Sequence, residues 1–335
     1  MKFRSIISTV CLASLLASAP ACAQDADWAK VLEAAKKEGS VALYFSADFL
    51  RVAKFNQFFE SRYGIKVLEL FGRPSEIQQR LDAEQNSGRF LADVAVEADE
   101  VLEAILNSGR LAPLSKVPNE SKVGPNYKRT NEGLRFSASI YTFVASTKLS
   151  QADMPKSWRD LTSPKLVSRI LSDDPRAQGA GTAVFGATYL NLGADYHKAM
   201  AQQKISMTRE NGTILQRVAI GEFDIGIPVC VCRAGQSNGL PIQFVLPEEG
   251  VLYANWHVGK LKNAPHPNAA LVYANALLEA EAQASFGNIG NAPIILGLDD
   301  KIDAMFRPFL KAKDLGAMTA QDLANAPQIA AGIYK

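Results

Sequence analysis

From residue 28 onward the chain switches repeatedly between two hydrophobic periods. "WAKVLEAAKKEG" (28–39) carries apolar residues at helical spacing and stops at Gly39. "SVALYFS" follows as the near-continuous apolar run of a buried strand. "FLRVAKFNQFFESRYG" reads as a second helix ending at Gly64, and "IKVLELF" as a second strand. "PSEIQQRLDAEQNSG" is a third helix and "ADVAVE" a third strand. A β-α-β-α-β order implies a mainly parallel sheet covered by helices, because parallel strands need a long crossover between them. The alternation returns after residue 140 in "YTFVAST", "SRILSDD", a helix from about Thr182, and "FDIGIPVCVC". The chain is therefore α/β, with a length that suits two lobes. It has no low-complexity segment and no short-period repeat.

The first residues bear on compartment. In "MKFRSIISTVCLASLLASAPACAQ", Lys2 and Arg4 precede an apolar stretch, Ser5 to Ala19, that is short for a bilayer span. Ala21 and Ala23 place small residues where a signal peptidase reads. Cleavage after Ala23 is expected, making residues 1–23 a signal peptide and the product a soluble periplasmic protein. A membrane anchor, a buried helix and a lipidated Cys22 are the alternatives; Ala19-Pro20-Ala21 lacks the aliphatic start of a lipobox. Without its leader the chain keeps 34 basic and 34 acidic residues of the 36 and 34 in the whole, since Lys2 and Arg4 leave. That balance points to neither nucleic acid nor an anionic membrane surface as partner.

In open α/β sheets ligands bind beyond the carboxyl ends of the strands. Three helix starts follow such ends here. "GRPSE" contains Arg73 and Ser75, "PRAQGAGTAVFG" contains Arg176, Gly181 and Thr182, and "ENGT" contains Asn211. Helix N-termini expose unpaired N–H groups and can hold an anion, and arginine adds a bidentate fork. Plain capping and turn chemistry is the competing account of Ser75, Thr182 and the glycines.

Two further stretches carry a resemblance. "DMPKSWRDLTSPKLVSRILSDDPRAQGAGTA" (153–183) and "LKNAPHPNAALVYANALLEAEAQ" (261–283) resemble bacterial periplasmic solute-binding proteins of ABC transporters, in the ferric-ion-binding branch that also includes binders of organic solutes. The resemblance implies a type II periplasmic binding protein: two α/β lobes, a hinge and a ligand cleft between the lobes. It places crossings near "SASIYTFVA" and "VLYANWHVG", with 24–141 and 256–310 in the N-terminal lobe and 142–255 and 311–335 in the C-terminal lobe. "PHPNAA" also reads as a turn and helix start, leaving His266 a structural part.

Iron-binding relatives use a histidine after the first strand, a glutamate after the third and two adjacent tyrosines at a later strand end. Here the first loop is "SADF", beginning at Ser46 and without histidine; Glu97 or Asp99 matches the glutamate, and the tyrosine position falls in "VCVCR". The tandem phenolates are absent, which removes the main support for ferric ion. Cys230 and Cys232, two apart in a strand-like run, share one face. They are expected to line or underlie the cleft, most simply as reduced core-facing residues; a disulfide and a metal pair are the other states.

The leading expectation is a monomeric receptor, without cofactor, catalytic residues or resident metal. It would hand a small organic anion (carboxylate, phosphonate or phosphate) to the membrane permease of an ABC importer. Its candidate contacts are Ser46, Arg73, Ser75, Arg176, Gly181, Thr182, Asn211 and Arg233, with Glu97, Cys230 and Cys232 at the cleft and Tyr253 and Trp256 packing on the organic part. A metal receptor with substituted ligands is the alternative. An exported enzyme is a third class, but no G-x-S-x-G, H-E-x-x-H or Walker loop occurs and the three histidines form no recognisable base arrangement.

Overall fold

The computed structural model describes residues 21–124 and 133–335. The expected leader lies outside them except for its last three residues, which begin α1 (Ala21–Glu38). Gly39, at φ 75°, turns the chain into β1 (Ser40–Phe45). The single helix expected next is two, α2 (Phe49–Val52) and α3 (Phe55–Tyr63), separated at Lys54 with φ 54°. The break allows Phe49 and Phe55 to reach one aromatic cluster, with ring centroids 5.5 and 5.8 Å from that of Phe286. β2 (Lys66–Phe71), α4 (Pro74–Asn86), β3 (Val94–Ala98) and α5 (Asp99–Asn107) complete the first unit.

β4 (Gly133–Ser146) then leads into the second unit. That unit contains β5 (Ile170–Asp173), α6 (Ala180–Ala201), β6 (Ser206–Thr208), α7 (Ile214–Ala219), β7 (Ile225–Cys230) and β8 (Ile242–Val245). β9 (Leu252–Lys260) carries the chain back. α8 (Pro267–Ala276), α9 (Ala280–Gly287), β10 (Asn291–Pro293), α10 (Arg307–Leu310) and α11 (Ala320–Ile333) follow.

The strand order is β2-β1-β3-β9-β4-β7-β5-β6, with β8 and β10 also on β4. β1 runs parallel to β2 and β3, and β5 runs parallel to β6 and β7. Every pairing of β4 or β9 is antiparallel, so the sheet is mixed rather than mainly parallel. The departure arises because β4 and β9 run between the units in opposite directions. β4 pairs with β9 from Gly133 to Tyr141 and with β7 from Tyr141 to Ala145, so one strand serves both lobes.

Helices cover both faces of each lobe. Phe45, Phe55, Tyr273 and Phe286 form one core of the first lobe, and Tyr44, Ile77, Leu81 and Leu102 the other. In the second lobe Trp158, Phe185 and Tyr334 form one core with α6 and α11, while Ile214, Val218 and Phe223 form the other. The two stretches that carry the resemblance are structural. Trp158 is buried against Phe143 and donates from Nε1 to the Gly250 carbonyl at 2.9 Å. His266 faces the buried Asp93 at 2.9 Å, and Glu38 receives the Ala269 N–H at 2.7 Å, capping α8. Among the described residues no helix is long and apolar enough to cross a membrane.

The C-terminal segment joins the edge of β9 through bonds of 2.9 Å from Val251 N–H to the Lys313 carbonyl and from Leu315 N–H to the Val251 carbonyl. Gly250, at φ 120°, lies where a Cβ would press on the Lys313 carbonyl. Gly250→Ala combines a disfavoured backbone with a backbone clash, so a loss of about 2–4 kcal/mol is expected in urea melts. Wild-type stability in that variant would show the junction to be pliable.

Candidate functional site

Parallel pairing within each lobe brings its strand ends to one edge. In the first lobe these ends carry Ser46 after β1, Arg73 after β2, and Glu97 to Glu100 where β3 meets α5. In the second they carry Asp173 as the last residue of β5, Asn211 after β6 and Arg233 beyond β7. Tyr141 connects the two sets. It lies on β4 opposite both Cys230 and Leu252. Burial pushes its phenol pKa up; the Arg233 charge opposes that rise, and Asp173 and Glu100 add to it. Charged groups from both lobes therefore act on one hydroxyl.

Glu97 is the most deeply enclosed of these groups, with no exposed surface. Its Oε2 accepts from the Ser46 hydroxyl, and its Oε1 is buried with no partner among the described residues. Desolvation raises its pKa to about 8, against the pull of Ser46 and with help from the Glu100 charge. Burial also raises Glu100, and the neighbouring Asp99 charge adds to it. The Glu100 side chain is nevertheless exposed, on the wall of a cavity described below. Burial would raise Asp99 too, but His257, Asn255 and Arg135 together hold it below the usual range.

Most of the expected anion contacts are taken up by the protein itself. Gly181 N–H donates to Asp173 Oδ2 at 2.9 Å, and Asn211 Nδ2 lies 3.4 Å from the same oxygen. The start of α6 is thus capped by an internal carboxylate, which burial keeps at a raised pKa. Gly181 is needed there for space: a Cβ would lie 2.6 Å from the Asp173 carbonyl oxygen. Thr182 is buried and donates to the carbonyls of Pro175 and Ala177 instead of facing a ligand. Arg176 grips Asp174 with Nε at 2.8 Å and Nη2 at 3.1 Å, and Nη1 reaches the Tyr334 carbonyl.

The aromatic candidates are similarly engaged. The Tyr253 hydroxyl donates to the carbonyls of Phe309 and Ala312, and Trp256 donates to the Ser139 hydroxyl at 2.9 Å. Arg73 and Ser75 are exposed at the start of α4, where Glu76 caps the Arg73 N–H at 2.9 Å. Among the described residues, no side-chain hydrogen bond or ion pair is formed by Arg73, Ser75 or Arg233.

Cys230 and Cys232 form a disulfide, with Cα atoms 5.1 Å apart. This corrects the expectation of two reduced residues on one strand face. β7 ends at Cys230, and a 3-10 turn over Val231–Ser237 swings Cys232 back toward it. Cys230 is buried, and its Sγ accepts from Cys232 N–H at 3.2 Å.

The histidines serve local structure. His197 lies in the second-lobe core, 2.7 Å from the Tyr334 hydroxyl, with burial lowering its pKa to about 4. His257 lies 2.8 Å from Asp99, and His266 is held by Asp93. Among the described residues no group of three His, Cys, Asp or Glu side chains is placed to hold a metal ion.

A cavity of about 480 Å³ lies beside β9, between α5 and the segment running into α11. Of the expected site residues, Tyr253 lines it, as does Asp99, the alternative to Glu97; Glu100 also lines it. The strand-end cluster is the more polar of the two candidate regions and draws residues from both lobes. Sequence reading missed Tyr141, Asp173, Glu100, Asn255 and His257 as site candidates. Asp173 in "LSDD" and Glu100 in "EADE" stood at strand ends, a usable signal; Tyr141 and Asn255 lay inside strand patterns and had none.

Residues 52–290 match the family described as bacterial extracellular solute-binding protein. An uncharacterized protein of Haemophilus influenzae is 25% identical over 301 residues, covering 84% of this chain and 82% of that protein. The apo ferric ion-binding protein A of Pasteurella haemolytica superimposes with TM-score 0.72 at 15% identity, covering 88% of this chain and 96% of that one. The periplasmic binding protein AfuA of Actinobacillus pleuropneumoniae, bound to fructose-6-phosphate, gives TM-score 0.65 at 21% identity, with 88% and 98% covered. These likenesses bear out the type II periplasmic binding fold.

The Glu97 carboxyl is protonated more readily in the fold, with pKa about 8, than in the unfolded chain. The stability tied to that proton is full below the unfolded value and is lost as pH rises through about 8. Between pH 5 and 8.5, Glu97→Gln should gain about 3 kcal/mol relative to wild type, the order carried by two to three pKa units. A constant difference across that range would place the ionised form in water. Cys230→Ser with Cys232→Ser should still melt cooperatively, and thiol titration should find two cysteines in the expected mature wild type only after reduction.

Proposed function

Because the chain belongs to the bacterial extracellular solute-binding proteins, we propose that it is the periplasmic receptor of an ABC importer, holding a small organic solute between its lobes. The observation that carries this reading is the convergence of strand-end groups from both lobes on Tyr141, beside two strands that run through both. A solute held there would touch both lobes, so its binding energy would favour closure. The closed form would then be presented to the permease. The receptor acts as a monomer without catalysis, and its lobes divide at 141/142, 255/256 and 310/311.

The solute carries an anionic group, and Arg233 is its main contact. Arg233 stands at the second lobe's strand ends and already influences Tyr141. Arg73, exposed at the rim, gives a second cation from the first lobe. Arg176 is a weaker candidate, since Asp174 occupies its fork. An organic solute accords with the sugar phosphate of AfuA. Ferric ion is the poorer candidate, because the first-strand loop lacks a histidine and a disulfide stands where tandem tyrosines would be.

Native mass spectrometry of protein taken from its own periplasm should show a retained solute of definite mass. With that solute added back, small-angle scattering should record a smaller radius of gyration. Arg233→Ala should weaken binding about ten- to a hundredfold, as loss of a charge-assisted contact does. Unchanged affinity and unchanged radius would overturn the interlobe site.

A further inference from the structure

The cavity beside β9 suits one part of a solute that the strand-end arginine does not. It lies where β9 is uncovered. β3 pairs with β9 from Trp256 to Lys260, and the C-terminal segment pairs at Val251, which leaves Leu252 to Asn255 between them. Those four residues line the cavity, facing α5 of the first lobe and Ala183, Met318 and Leu323 of the second. About 480 Å³ is a volume typical of small-molecule sites.

The lining is divided in character. Leu102, Leu106, Leu111, Leu252, Met318 and Leu323 form an apolar wall. Asp99, Glu100 and Glu103, along the first turns of α5, form an acidic one. Two groups facing this space lack full partners. His257 is only 8% exposed, and its Nδ1, though 2.8 Å from Asp99 Oδ1, makes no hydrogen bond among the described residues. The Asn255 amide donates to Asp99 at 2.7 Å, while its Oδ1 is buried without a partner. Asp99 is already balanced by His257 and Asn255. Glu100 and Glu103 are exposed and line the cavity. Leu252 on the cavity wall stands opposite Tyr141, and Tyr141 opposite Cys230, three residues before Arg233, so the cavity and the arginine lie at neighbouring strand ends.

We propose that the solute is amphoteric: an apolar body fills the cavity beside β9, a positively charged group meets Glu100 and Glu103, and the anionic group meets Arg233. This rests on the receptor reading and adds the solute class. Charge on the cavity side selects against a simple anion, because the Glu100 and Glu103 carboxylates would face it. The apolar wall selects against small sugars and inorganic ions, which cannot replace the water they would displace there.

Calorimetry with two matched sets of probes tests this: phenylalanine, phenethylamine and 3-phenylpropionate, then leucine, isopentylamine and 4-methylpentanoate. The amino acid of at least one set should bind at least tenfold more tightly than its matching carboxylate. Glu100→Gln with Glu103→Gln, both on exposed positions, should erase that preference by weakening the amino acid and strengthening the carboxylate. Ala183→Leu, which fills the cavity from α6, should weaken every probe while melting cooperatively. Binding by none of the six, equal binding of amino acid and carboxylate, or a preference that survives the double variant would overturn the inference. A retained periplasmic solute that is a pure anion would also sink it, while leaving the receptor reading intact.

Discussion

The antiparallel pairing of β4 with β9 is the constraint from which the rest follows. Each strand belongs to both lobes, so their hydrogen bonds join two otherwise separate cores. A backbone ladder resists stretching and shear, yet it can twist and bend over a few residues. The register also decides which side chains stand at the junction. Tyr141 stands opposite Leu252 and Cys230, and Glu97 opposite His257. A one-residue slip would exchange the faces and remove Tyr141 from the charges it shares.

The strand ends show how a protein manages polar groups in a concave space. The start of α6 would attract an anion, and Asp173 supplies one from within the chain. Asn211 steadies the same carboxylate, and Arg176 closes on Asp174 beside it. These contacts keep the unliganded protein in order, and they leave fewer groups for a solute. Arg233, Glu100 and Glu103 remain without ion-pair partners among the described residues, and in the proposed site they supply the charges offered to the solute. Glu97 follows a different logic. Fully enclosed, with one oxygen bonded to Ser46 and the other without a partner among the described residues, it is easier to keep protonated than charged.

The alternation of periods in the sequence determined two α/β lobes, because helical and strand patterns cannot replace one another, and it placed Ser46, Arg73, Glu97, Asp173 and Asn211 at strand ends. It also showed "PHPNAA" as a turn and helix start, which the Asp93 and Glu38 contacts match. What local pattern could not determine was partnership. Whether Arg176 is free depends on Asp174 and the end of α11; whether Gly181 meets an anion or Asp173 depends on how α6 presses on β5. The direction of β4 and β9 depends on the chain returning across the hinge, which a periodic pattern does not record. The cysteine pair depends on a turn that begins at Val231, one residue past the strand. Hydrophobic period is a local property of the chain, while charge balance and pairing arise between segments far apart in sequence, so only the tertiary structure decided them.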